Sequence, residues 1–187
     1  MARARGVDHG KSVMPEEPAH GREEIQMASS TDFAIRRAVP QDAAAIAHVL
    51  RQAFAEFKAL YTLGGFAATV LDKTQIQARM SEGPVWLALL SSAPVGTVAA
   101  VLRDGSVYIR GMAVIPSARG SGAGATLLRE VEDWAGAQGR NRMFLSTTPF
   151  LDSAIRLYER FGFRRTNEVL HDLAGTPLFT MEKIVSR

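Results

Sequence analysis

The sequence predicts an α/β fold of the mixed (α+β) kind: a central mixed β-sheet of six to seven strands flanked by about four helices. Three observations carry that expectation. Strand-type and helix-type segments interleave in the order β, α, α, three β, α, β, α, two β. A glycine-rich turn joins a strand to a helix within "VIPSARGSGAGATLL", residues 114–128. The chain has 187 residues, 47% of them hydrophobic and 22% charged, which suffices for one sizeable core.

The elements follow in order. "FAIRRAV" (33–39) has strand composition. Residues 40–57 open on Pro40, which suits a first helical turn, and repeat Ile46, Val49, Leu50, Phe54 and Phe57 at helical spacing. "KALYTLGGF" (58–66) holds a Gly-Gly pair and reads as a mobile loop; a weaker helix is expected over 69–80. Strands are expected at 85–90, 95–103 and 106–114. The last two are joined by Asp104-Gly105, whose tolerance of positive φ marks a hairpin. A helix over about 121–138 ends near Gly139, and a strand spans 142–148. A helix over 151–161 is closed by Gly162, and strands over 163–170 and 176–185 finish the chain. Residues 1–30 are polar and of mixed charge, and are expected to be a disordered extension to a domain at 31–187.

Composition excludes several classes of function. Without cysteine there is no disulfide, thiolate metal site or cysteine-acyl intermediate. His9, His20, His48 and His171 lack ligand spacing, so no metal is expected. No apolar run approaches the roughly 20 residues of a membrane span, and no secretory signal is seen, so a cytoplasmic protein without a membrane partner is expected. The net charge of +3 suits a phosphate-bearing small ligand. Arg36-Arg37 and Arg164-Arg165 are short pairs without interleaved aromatics, which argues against nucleic acid.

The glycine turn carries the chemistry. The first turn of a helix has backbone N–H groups without partners, and its dipole favours an anion. Gly120, Gly122 and Gly124 remove the Cβ atoms that would hold a phosphate away, and Arg119 adds a cation. A P-loop is ruled out, because alanine follows Gly122 and Gly124 where Lys-Ser/Thr is needed. A dinucleotide fingerprint can be laid on Gly120, Gly122 and Ala125, but "LSTTP" on the next strand offers no acid for a ribose.

"MAVIPSARGSGAG" resembles the coenzyme A pyrophosphate motif of the GNAT superfamily of N-acetyltransferases, a strand ending V-x-P followed by R/Q-x-x-G-x-G/A. Val114, Pro116, Arg119, Gly122 and Gly124 match it. "AIRLYERFGF" (154–163) resembles the family's A-x-x-L-Y-x-x-x-G-F segment, at the usual distance, and the likeness spans about residues 32–185. The resemblance implies acetyl-CoA as co-substrate and direct attack by a primary amine of a small molecule or peptide. It implies that Met112, Ala113 and Val114 offer backbone groups to the pantetheine arm. The amides of Arg119, Gly120, Ser121, Gly122, Ala123 and Gly124 would hold the pyrophosphate. On pattern alone Tyr158 reads as a core tyrosine, sharing a helical face with Ala154, Leu157 and Phe161; the resemblance implies instead that it is the catalytic acid that protonates the departing sulfur. Two positions depart from the family. Ser146 aligns where a glutamate base is common, and Leu151 where an asparagine contacts the coenzyme. Glu56 and Tyr61 are the candidates for the acceptor side. The rival functions are a non-catalytic acyl-CoA-binding sensor or scaffold and, more weakly, a nucleotide-binding module. A monomer or homodimer fits either.

Overall fold

Short-range signals place most elements, and their ends show how. The computed structural model describes residues 33–166 and 171–185, and the expected N-terminal extension lies outside the described residues. The first strand, β1 (Ala34–Arg37), leads to α1 (Ala43–Phe54). Between them Asp42 accepts from Val39 N at 2.8 Å and from both Arg36 Nη atoms at 2.7 and 2.8 Å. The Arg36 hydrogen bonds, with help from Val39, hold the Asp42 carboxyl below the usual carboxylate range. A lowered carboxyl stabilises above its unfolded pKa and loses that contribution as pH falls through the folded one. Asp42→Asn is therefore expected to cost about 1 kcal/mol at neutral pH. The difference from the parent should shrink in urea titrations as pH falls below the ordinary carboxylate range.

The α-helix ends at Phe54 and the chain tightens to a 3-10 turn over Ala55–Leu60, rather than running on to residue 57 as expected. At that point the Ala53 carbonyl accepts from Arg119 Nη2 at 2.8 Å. The Gly64-Gly65 segment is not a loop but part of α2 (Leu63–Thr69), capped by Thr62. A Cβ on Gly65 would lie 2.1 Å from Thr176 Oγ1, so this glycine serves close packing rather than mobility. The next helix, α3 (Lys73–Glu82), starts later than expected, at a capping box in which Asp72 and Gln75 exchange hydrogen bonds of 2.8 and 2.9 Å.

Strands β2 (Val85–Leu90), β3 (Ala93–Arg103) and β4 (Ser106–Val114) form an antiparallel meander. Asp104 and Gly105 both take positive φ, 48° and 73°, which is the type I′ geometry that the Asp-Gly pair predicts. Helix α4 (Ala123–Ala137) then crosses to β5 (Arg142–Thr147). It buries Leu127, Leu128 and Val131, each worth about 1.5–3 kcal/mol. Helix α5 (Asp152–Arg160), β6 (Arg164–Arg165), β7 (His171–Leu173) and β8 (Thr176–Ile184) complete the domain. The sheet has eight strands where six to seven were expected: β6 falls within the strand expected over 163–170, whose residues 167–170 lie outside the described ones, and β7 was not expected; it forms by pairing with β8.

The sheet order is β1-β2-β3-β4-β5-β8-β6, with β7 on β8. One face packs on α1 and α3 through Ile46, Val49, Leu50, Ile76, Leu87 and Ala99. The other packs on α4 and α5 through Val98, Ile109, Leu127, Leu145 and Met181. The β4–β5 pair is parallel and short: its register runs from Val107↔Met143 to Ile109↔Leu145 and stops. Just beyond, the β3–β4 register shifts between Thr97 and Ala99, where Gly111 of β4 sits at φ 58°. This bulge turns β4 away from β5 and opens a split in the sheet.

Candidate active site

The split leads into a cleft of about 620 Å³. Its walls are the end of α1, the last residues of β4, the glycine turn and α5. Of the residues expected to hold the coenzyme or act as the acid, Met112, Ala113, Val114, Arg119, Gly120, Gly122, Ala123, Gly124 and Tyr158 all line it, whereas the acceptor-side candidates Glu56 and Tyr61, and Ser146, do not. Among the coenzyme residues Ser121 is the exception: its Oγ donates to the Ala118 carbonyl, inside the turn.

The glycines divide into two kinds. Gly120 and Gly122 take φ of 78° and 97°, and a Cβ on either would meet nothing within 4 Å. They shape an open cradle at the start of α4, where the first-turn amides lack helical partners. Gly124 is different: a Cβ there would lie 2.8 Å from Leu157 Cδ2 of α5. It allows the two helices that flank the cleft to approach.

The Arg119 side chain turns away from the cradle. Nη2 donates to the Ala53 carbonyl, Nε to the Val114 carbonyl at 3.3 Å, and Nη1 to Glu56 Oε1; the guanidinium stands 5.7 Å from the centre of the Phe57 ring. The expected free cation is thus a pin between the turn and the end of α1. Glu56, a candidate for the acceptor side, is its ion-pair partner. Glu56→Gln should lower the melting temperature slightly and loosen the turn, seen as faster amide exchange at residues 119–122. The cations left for the cleft are Arg129, Arg156 and Arg160, which sequence reasoning did not single out. Arg156 and Arg160 stand one helical turn apart on either side of Tyr158, a spacing that could have flagged them.

Tyr158 is held by the end of its own helix. Gly162 at φ 96° closes α5, with Gly162 N donating to the Glu159 carbonyl at 3.0 Å and Phe163 N to the Tyr158 carbonyl at 2.9 Å. This double closure brings the buried Phe163 ring edge-on to Tyr158, centroids 6.0 Å apart. The Gly-Phe that follows the tyrosine therefore sets the tyrosine's place. Tyr158 is only 7% exposed, yet its hydroxyl has no hydrogen-bond partner among the described residues. Burial above all, and then the nearby Tyr61, push its phenol well above the ordinary tyrosine range.

Tyr61 belongs to an aromatic cluster with Phe54, Phe66 and Phe150, where burial raises its phenol and the Thr148 and Thr69 hydroxyls partly offset the rise. Leu151 lines the cleft where the family resemblance expects an asparagine. Ser146 is not alone: its Oγ lies 3.1 Å from His171 Nε2, a contact between β5 and β7 that no sequence spacing announces. Among the described residues no group of three His, Asp or Glu side chains could hold a metal ion, and no helix is long and apolar enough to cross a membrane.

Fold and cleft together define a mixed α/β protein with an open glycine turn beside a split in its sheet. The model of the acetyltransferase (GNAT) family matches residues 45–163. The chain belongs to that acetyltransferase family. It is 30% identical over 141 residues to the uncharacterized N-acetyltransferase YjgM of Escherichia coli K12, covering 73% of this chain and 84% of the relative. It is 39% identical over 85 residues to N-acetylaspartate synthetase of Danio rerio. That match takes in 44% of this chain and only 30% of the relative's length. Among solved structures, the PaiA N-acetyltransferase of Thermoplasma acidophilum in complex with coenzyme A superposes with a TM-score of 0.70 at 16% identity. It covers 82% of this chain and 99% of that one.

Proposed function

We propose that the protein, through a domain at 31–187, moves an acetyl group from acetyl-CoA to a primary amine by direct attack. The observation that carries this reading is the meeting, in one cleft, of the open glycine cradle, the freed end of β4 and the unpartnered phenol of Tyr158. The cradle fits a pyrophosphate: Gly120 and Gly122 leave open the space that side chains would fill, and the amides from Gly120 to Gly124 supply donors. Arg129, Arg156 and Arg160 offer cations to the remaining phosphate charge.

Met112, Ala113 and Val114 lie where β4 has left β5, so backbone groups that face the split are open to the pantetheine arm and the acyl carbonyl, apart from the Val114 carbonyl, which Arg119 Nε already takes. The amine nitrogen bonds to the acetyl carbon as the carbon–sulfur bond breaks. Tyr158, kept protonated by its buried setting, gives its proton to the leaving sulfur.

A binding-only function is favoured by one feature, the absence of a carboxylate at Ser146. Thiol release from acetyl-CoA across a panel of amines decides between the two. Release that requires an amine supports transfer; tight coenzyme binding without release supports the binding module.

A further inference from the structure

A second cationic site lies on the opposite face of the sheet, at the far mouth of the split. Arg110 of β4 pairs with Ala99 of β3, which packs on α1, so the Arg110 side chain leaves the sheet on the α1–α3 face. It is the first residue past the last parallel pair, Ile109↔Leu145, and so borders the split. Its Nη2 donates to Glu82 Oε2 at 2.7 Å, while its Nε is buried without a hydrogen-bond partner. The Arg110 side chain is 17% exposed and Glu82 50%, so the carboxylate sits at the rim.

Arg79, in the last turn of α3, brings a second guanidinium to the same place. A Cβ on Gly111 would lie 3.2 Å from its Nη1, so Arg79 rests on the bulge that opens the split. Among the described residues Arg79 has no hydrogen bond or ion pair. Burial and the Arg110 cation depress its guanidinium, and Tyr108 and Glu82 only partly offset them. Two cations therefore face one rim carboxylate. A half-buried excess of positive charge is costly until an anion joins it. A carboxylate is the matching anion, because two guanidinium forks meet its two oxygens in pairs.

The coenzyme's own phosphates are not the candidate. The cradle and Arg129, Arg156 and Arg160 lie with α4 and α5, on the other side of the sheet. The Arg79–Arg110 pair instead borders the split from the α1–α3 face. Gly111 is followed directly by Met112, which lines the cleft, so an anion held here keeps the rest of a small molecule beside the split.

We propose that Arg79 and Arg110 bind the carboxylate of the acceptor, and that the acceptors are small primary amines carrying a carboxylate, amino acids above all. The proposal rests on the acetyl-transfer reading. Glu82 holds Arg110 until the acceptor's carboxylate arrives.

The test compares free amino acids with their primary amides, and with peptides whose amino terminus is free but whose carboxylate is remote. For the parent protein, kcat/KM for alanine, aspartate or glutamate should exceed that of the matching amide by about tenfold or more. In Arg79→Gln and Arg110→Gln that preference should collapse through a rise of about 10- to 100-fold in KM for the acid, with Arg79→Lys recovering part of it. Thermal unfolding checks that the variants are folded. Equal use of acids and amides, or a preference that survives both Gln variants, overturns the proposal. Preference for the peptides overturns the small-molecule class. If no amine releases thiol, the transfer reading fails. Calorimetric titration of amino acids into the coenzyme A-loaded protein and its Arg79→Gln variant then decides the carboxylate site by itself: binding lost in the variant upholds it, and no binding in either overturns it.

Discussion

Tyr158→Phe is expected to lower kcat by about 10² to 10³, or roughly 2.7–4 kcal/mol of barrier, with little change in the KM for acetyl-CoA. The substitution removes a hydroxyl that has no partner among the described residues, so it leaves no orphaned group there. Its ring keeps the edge-on contact with Phe163, and folding stability should stay within about 0.5 kcal/mol. Burial and Tyr61 raise the phenol's pKa, so the acid form persists as pH rises through the ordinary tyrosine range. The parent's rate should therefore show no alkaline fall up to about pH 10 from loss of this acid. Stopped assays of thiol release from pH 6 to 10 check both statements. An unchanged kcat in the phenylalanine variant would return Tyr158 to the core.

Gly122→Val should weaken coenzyme A binding by more than about tenfold. A β-branched residue at φ 97° costs about 1–3 kcal/mol in backbone strain. Its side chain would also stand in the open space where an anion must come. Gly136→Ala in the same helix is the contrast. Beyond its own helix backbone, the added methyl would meet nothing within 4 Å among the described residues, and removing a helix glycine should stabilise by about 0.5–1 kcal/mol. Calorimetric titration with coenzyme A, alongside thermal unfolding, separates the two effects. Equal coenzyme affinity in the parent and Gly122→Val would remove the cradle from the binding site.

Elements with local signals were legible in order. Asp104-Gly105 makes its hairpin because two positive φ values are a property of those two residues. The end of α5 follows from Gly162, and the glycine turn from its own composition. Errors arose where a distant partner decides. Gly64-Gly65 looks like a hinge but lies in α2, because Thr176 needs the space of a missing Cβ at Gly65. The expected helix to residue 57 stops at Phe54, where Arg119 takes the Ala53 carbonyl. Gly111 stood in plain view as an isolated strand glycine, a known sign of a bulge, and it is the residue at which the sheet opens.

By itself the sequence determined the family motifs, the strand and helix order and the residues of the cradle, since each rests on side chains within about ten positions of one another. Tertiary structure alone decided which charges are free. It bound Glu56 to Arg119 across 63 positions, set His171 against Ser146 across 25, and brought Arg79 to the bulge beside Arg110. The reason is physical: a charged group's role depends on what neutralises it, and its neutralising partner arrives from another element of the fold.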